Sequence, residues 1–197
     1  PMDGDGEDRP EEIKNFIQIA DQTEDKSIIG ERVKRSESLV FKLCYQAHKI
    51  LTLAFTNQSI KFGNYTCLSK ETVEKMLNEK ATWNSFSGSL KKVEKDLLSI
   101  PSIRGTRYFG PSKMSFFNLL KHSLSIISVF RKTVLMRSAL FIVFYILLIK
   151  SNASIITSLP LVLLLIMIYS ISNLALRENM SEFDKSLENI NNIDTVK

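Results

Sequence analysis

A long apolar stretch near the C-terminal end constrains the fold of this chain more than any other feature. It covers residues 134–176 and is interrupted by one polar break at residues 150–152. A helix needs about 20 predominantly apolar residues to cross a bilayer, and residues 155–176 meet that requirement with no charge among them. The sequence therefore predicts a transmembrane helical hairpin over residues 134–176, with two membrane segments and a tight turn.

The first arm of this predicted hairpin is shorter than the second. Its uncharged part covers residues 139–149, and residues 134–136 extend it past Arg137. We expect Arg137 and Lys150 to reach the headgroups with their long side chains. We expect Pro160 to cost little, because it lies near the start of the second arm. A buried hairpin in a soluble core is the alternative, but the rest of the chain is too small and too charged to enclose one.

Basic residues near the hairpin predict its orientation. Several of them precede it, and Arg177 follows it, whereas the turn offers only Lys150. Lysine and arginine are enriched in the cytoplasmic segments of membrane proteins. We therefore expect both termini in the cytoplasm and the turn on the far side.

The net charge of +5 conceals a strong asymmetry along the chain. Residues 1–25 carry a net charge of −7, residues 177–197 carry −2, and the middle carries +14. A basic segment beside a membrane anchor is suited to anionic lipid headgroups, which attract each basic residue with about 1 kcal/mol. RNA attracts the same charge by counterion release, so charge alone does not separate these two partners.

Hydrophobic periodicity and turn residues predict an all-α fold, with a small helical cytoplasmic head, an amphipathic helix and the hairpin. Five segments follow: an acidic, largely disordered N-terminus with a short helix (1–27), a helical soluble head (28–101), a basic connector with an amphipathic helix (102–133), the hairpin (134–176) and a polar tail (177–197). In the head we expect a long helix near residues 36–55, a loop over 56–66, a helix beginning after Ser69 and another over about 90–100. The apolar stripe of the long helix is expected to form the core of the head; it comprises Val40, Leu43, Cys44, Ala47, Leu51 and Ala54.

The amphipathic segment over residues 112–130 has a wide apolar face and a narrow polar one. Such a helix can lie in the headgroup plane, or it can complete the core of the head. We expect the basic and apolar residues along this segment and the hairpin to contact the membrane interface: Lys113, Phe116, Phe117, Leu120, Lys121, Arg131, Lys132, Arg137 and Lys150.

The connector before that helix combines basic and aromatic residues. Arg104, Arg107 and Tyr108 lie close together in the sequence. Such a combination can stack on nucleic-acid bases or anchor at a membrane surface. The nearby hairpin favours the membrane reading, with RNA as the alternative.

The chemistry-bearing residues are too few to indicate an enzyme. The chain has two histidines and two cysteines, and it contains no phosphate-binding loop, zinc-ligand spacing or nucleophile elbow. Cys44 lies on an apolar stripe, which favours an inert thiol. We expect no catalytic residue, no metal and no cofactor.

The predicted elements form one architecture. A helical head is followed by a basic amphipathic helix over 112–130 and by two apolar arms, 139–149 and 155–176, around a turn at 150–152. This architecture resembles the 2B-type nonstructural membrane proteins of picorna-like viruses, the picornaviruses and dicistroviruses. The resemblance implies insertion into host endoplasmic reticulum or Golgi-type membranes, permeabilisation or remodelling by homo-oligomers, and viral or host protein partners. A membrane-anchored scaffold or membrane-shaping hairpin that recruits partners or RNA through its head is the alternative.

Overall fold

The computed structural model describes residues 1–23, 26–32, 39–110, 115–179, 181 and 185, without the side chains of residues 39–42. Most of these residues are helical, and a small sheet accompanies the helices. The α-helices are α1 (Ile13–Gln22), α2 (Leu39–Thr56), α3 (Lys70–Leu77), α4 (Phe86–Val93), α5 (Phe116–Ser128), α6 (Arg131–Ile149) and α7 (Ile155–Ala175). The strands are β1 (Ile28–Arg32), β2 (Phe62–Cys67) and β3 (Leu98–Ser102). The all-α prediction was therefore wrong for the head, although the chain is mostly helical.

The sheet has the strand order β2-β1-β3 and is mixed. Strand β1 pairs antiparallel with β2 and parallel with β3. Pro101 lies within β3, which is an edge strand, and edge strands are where a sheet tolerates proline. The chain between β1 and β3 contributes α2, β2, α3 and α4 to the head.

Two segments of the head were predicted wrongly because short apolar runs fit more than one period. The expected loop over 56–66 contains most of β2. The helix expected over 90–100 ends at Val93, and the chain then enters β3 at Leu98. In that region Leu97 packs on one face of the sheet, whereas Leu98 and Ile100 pack on the other. The helix beginning after Ser69 is confirmed, and the Ser69 hydroxyl accepts the Thr72 N–H at 3.3 Å.

The sheet has an apolar layer on each face. Successive side chains of a strand point to opposite faces, so Ile28 packs with Phe16 of α1 and with Tyr65. On the other face, Ile29 packs in a larger cluster that includes Leu90 of α4. The short N-terminal helix is thus packed on the sheet as part of the head.

Residues 1–9, which belong to the N-terminal segment expected to be largely disordered, make backbone contacts with the head. The Pro1 carbonyl accepts the Thr66 N–H at 3.2 Å, which adds a backbone contact to β2. Backbone hydrogen bonds also join Glu7 to Gly105 at 2.8 Å and Asp5 to Tyr108 at 2.9 Å. Opposite charge explains this order, because the acidic N-terminus meets arginines of the sheet and the connector.

The core assignment of α2 was also wrong. Leu43 is 71% exposed and Ile50 is 66% exposed, whereas Thr52 and Thr56 on the opposite side are buried. The helix packs against α5 and α6 and turns its threonines inward. An amphipathic stripe does not reveal whether its apolar side faces a protein core or lies outside.

Candidate membrane interface

Helices α6 and α7 are long and apolar enough to cross a membrane, judged by length and composition. They contain 19 and 21 residues, which correspond to about 28 Å and about 31 Å at 1.5 Å per residue. The hydrocarbon core of a bilayer is about 30 Å thick. Few of their residues are buried by the protein: Val134 and Ser138 in α6, and Leu164, Ile171 and Ala175 in α7. In a core helix of a soluble protein, by contrast, most residues are buried.

A short connection joins these two helices, and they contact each other. Ser154 and Thr157 form a capping box that satisfies backbone donors at the start of α7. The Tyr145 hydroxyl of α6 donates to the Thr157 carbonyl at 3.0 Å. Pro160 is the sixth residue of α7, beyond the first turn where we expected it to cost little. It therefore removes the helical hydrogen bond to the Ile156 carbonyl.

Helix α5 joins the head to the two apolar helices. Its C-terminal half is buried: Ile126 belongs to the core of the head, and Ile127 packs with Val134 of α6 and Ile171 of α7. Its N-terminal half is not enclosed by protein, since Phe117 is 78% exposed and Phe116 and Leu120 are also exposed. The C-terminal half thus completes the core of the head, and the position of the N-terminal half in the headgroup plane stays a prediction.

Most of the basic residues assigned to the membrane interface lie on the surface. Lys121, Arg131, Lys132 and Lys150 are exposed. Arg131 and Lys132 open α6, at the end of the helix pair opposite the turn. Lys113 lies outside the described residues.

Arg137, which we expected to reach the headgroups, makes two hydrogen bonds to α2. Its Nη1 atom donates to the Ala54 carbonyl at 2.7 Å and to the Leu53 carbonyl at 3.4 Å. These carbonyls belong to the last turn of α2, where carbonyls have few intrahelical N–H partners. Asn57 follows with φ of +60°, and its N–H also donates to the Leu53 carbonyl, at 2.9 Å. Arg137 therefore fastens α2 to α6.

The connector arginines are engaged with the acidic N-terminus. The Arg104 guanidinium donates to the Glu7 carboxylate. Arg107 donates to Glu7 at 2.9 Å and lies 3.2 Å from the Asp5 carboxylate. Tyr108 beside them is 62% exposed. An RNA backbone would have to compete with these ion pairs, and the RNA assignment of these three residues stays a prediction.

Sequence reasoning missed two features of this region. The outward apolar side of α2 could have been suspected from Thr52 and Thr56, which are four residues apart on the side opposite Leu43. The bond from Tyr145 to the Thr157 carbonyl had no sequence signal, because it depends on how the two helices are placed against each other.

The described part of the chain gives no sign of a metal centre, since no group of three or more potential ligands comes together there. Cys44 and Cys67 are free thiols. No protein-family model, no curated protein and no solved structure matches this chain.

Proposed function

We propose that this chain is an integral membrane protein in which α6 and α7 form a transmembrane hairpin, with both termini on the cytoplasmic side. The observation that carries the proposal is the exposure of these two helices. Leu163 and Phe144, for example, are 58% and 61% exposed. Exposure of so many large apolar side chains to water costs free energy. Contact with lipid removes that cost, at about 25 cal/mol per Å² of apolar surface.

We further propose that the protein permeabilises or remodels endomembranes of the endoplasmic reticulum or Golgi type in support of viral replication, without enzymatic activity. The architectural resemblance to 2B-type proteins motivates this function. Two helices cannot enclose an aqueous path by themselves, so permeabilisation requires several copies. The exposed sides of α6 and α7 give such copies apolar surfaces on which to associate within the membrane.

A membrane-anchored scaffold is the second candidate, and a groove on the head favours it. The groove has a volume of about 230 Å³ and lies between α3 and the segment before α4. Val73, Leu77 and Trp83 line it, and each of these side chains is at least 40% exposed. An apolar side chain of a partner protein fits such a groove. In this role the hairpin serves as the anchor and releases no contents.

Dye release distinguishes the two candidates. The full chain is added to liposomes that contain anionic lipid, and the release of an enclosed fluorophore is measured against protein concentration. Permeabilisation predicts release that rises more steeply than linearly, because several copies cooperate. A protein that floats with the liposomes but releases no dye would support the scaffold and contradict the permeabiliser.

A further inference from the structure

The outward side of α2 has the composition of a surface that faces lipid. Leu43, Ile50 and Leu53 are 71%, 66% and 51% exposed, and Ala47 and Ala54 between them are exposed as well. At 100° per residue, Leu43, Ala47, Ile50 and Ala54 share one side of the helix. In water this arrangement leaves the apolar side chains at positions 43, 47, 50 and 54 unburied.

The inward side of α2 carries two buried threonines. Thr52 and Thr56 are each 2% exposed, and the Thr56 hydroxyl donates to the Thr52 carbonyl at 2.6 Å. The Thr52 hydroxyl lies 3.4 Å from His48 Nδ1. A helix on the surface of a water-soluble domain has the reverse distribution, with the apolar side against the core. The polarity of α2 is thus inverted, as expected of a helix whose outer side meets an apolar medium.

The position of α2 relative to α6 identifies that medium. Arg137 is the seventh residue of α6, which places it about 9 Å from the start of the helix. Through its bonds to Leu53 and Ala54, it holds the C-terminal end of α2 at that level. Phe55 packs at the junction of α5, α6 and α7. The C-terminal end of α2 therefore lies beside α6 at that level.

We propose that α2 is a third membrane-contacting helix, whose Leu43, Ala47, Ile50 and Ala54 side enters the bilayer beside the cytoplasmic end of α6. The lipid is the occupant of this surface, because α6 already requires lipid at the same level. The inference rests on the proposed function, since α2 meets a bilayer only if α6 crosses one. It adds that the head lies against the membrane instead of projecting from it on a linker.

Site-directed fluorescence on the full chain tests this inference. Cys44 and Cys67 are replaced by serine, and single cysteines that carry an NBD fluorophore are placed at four positions: Leu43→Cys, Ile50→Cys, Leu163→Cys and Lys70→Cys. Position 163 lies on α7, and position 70 is the exposed first residue of α3. The fluorescence of Trp83, the single tryptophan, checks that each variant is folded. Liposomes contain lipids with a nitroxide quencher either near the headgroup or deep in the acyl chain.

We expect NBD at positions 43 and 50 to emit further to the blue than at position 70, and to lose intensity with the shallow quencher. Water-like emission at 43 and 50, with quenching at 163, would overturn the inference and leave the hairpin intact. If the emission at 43 and 50 is blue-shifted without lipid quenching, and the shift grows with protein density, a second copy of the chain covers the outward side of α2 instead of lipid. The absence of quenching at 163 would overturn the proposed transmembrane hairpin itself.

Discussion

The Arg137 guanidinium and the Ala54 carbonyl are 2.7 Å apart, and this hydrogen bond joins the head to the first apolar helix. It uses a charge-assisted donor on a carbonyl that α2 leaves without an intrahelical partner. Arg137, which the sequence assigned to the membrane interface, therefore connects the head to α6. The first prediction follows from this contact.

Arg137→Leu should loosen α2 while leaving membrane insertion unchanged. Loss of a charge-assisted hydrogen bond costs about 1.5–3 kcal/mol, and the leucine makes α6 more apolar. Hydrogen–deuterium exchange of the reconstituted full chain should show faster exchange over residues 43–56. Arg131→Leu, at an exposed position in the first turn of α6, is the matched control. If Arg137→Leu leaves the hydrogen exchange of α2 unchanged, the hydrogen bonds of Arg137 do not stabilise that helix.

Gly88→Val should separate the head from α5. A Cβ at position 88 would lie 2.9 Å from Val129 Cγ2 and 3.3 Å from the Ile126 carbonyl of the neighbouring segment. Overpacking of this kind costs about 1–3 kcal/mol. Urea unfolding of the full chain in detergent, monitored by Trp83 fluorescence, should show a lower midpoint. Gly4→Val serves as control, because nothing lies within 4 Å of the Cβ position there; equal midpoints for the two variants would contradict the packing of α4 on α5.

Glu94 should contribute stability that disappears in acid. The Asp96 N–H and then Lys75 lower the pKa of Glu94 below its ordinary value of 4.5. A carboxyl whose pKa is lower in the folded chain stabilises the fold above about pH 4.5, and this contribution is lost as the pH falls through the lowered pKa. Glu94→Gln should cost about 1 kcal/mol at pH 7. The difference from the unchanged chain should vanish below the lowered pKa.

The control for Glu94 is Glu71→Gln. Glu71 also contacts Lys75, at 2.9 Å, but its side chain is 67% exposed, and exposed pairs contribute little. Trp83 fluorescence during urea unfolding at pH 7 and at pH 3 gives both comparisons. A Glu94→Gln penalty that is the same at both pH values would contradict an electrostatic origin.

Phe117→Glu combined with Leu120→Glu should abolish dye release and leave the protein bound to membranes. Both side chains are exposed on α5, and a carboxylate in the acyl region is costly. The hairpin still anchors the chain. Asn118→Glu, which adds a charge to the same helix without removing apolar area, should release dye normally. If the double variant releases dye like the unchanged chain, α5 has only a structural role and the scaffold becomes the better function.

The sequence predicted the apolar helices far better than it predicted the head. An uncharged run such as residues 155–176 has one economical structure, because a helix satisfies every backbone group within itself. The strands of the head are five or six residues long, and their pairing joins Ile28 to residues 39 and 70 positions away, Cys67 and Leu98. Contacts over such separations leave no local pattern.

The candidate interface was predictable in part. Phe116, Phe117 and Leu120 are exposed, as lipid contact requires, and lipid contact itself stays a prediction. The partners of Arg137 and Arg104 could not be read from the sequence, since each lies at least 83 residues away in the chain. The orientation of α2 was missed because its stripe fits a protein core as well as a bilayer.

Alkaline carbonate extraction of membranes from cells expressing the full chain tests the transmembrane hairpin most directly. Carbonate removes peripheral proteins, whereas a helix whose 21 residues are embedded in the bilayer stays in the pellet. We predict that the full chain stays with the membranes and floats with them in a density gradient. We also predict that the chain lacking residues 139–176 is released by carbonate and by high salt. Release of the full chain into the supernatant would contradict the transmembrane hairpin.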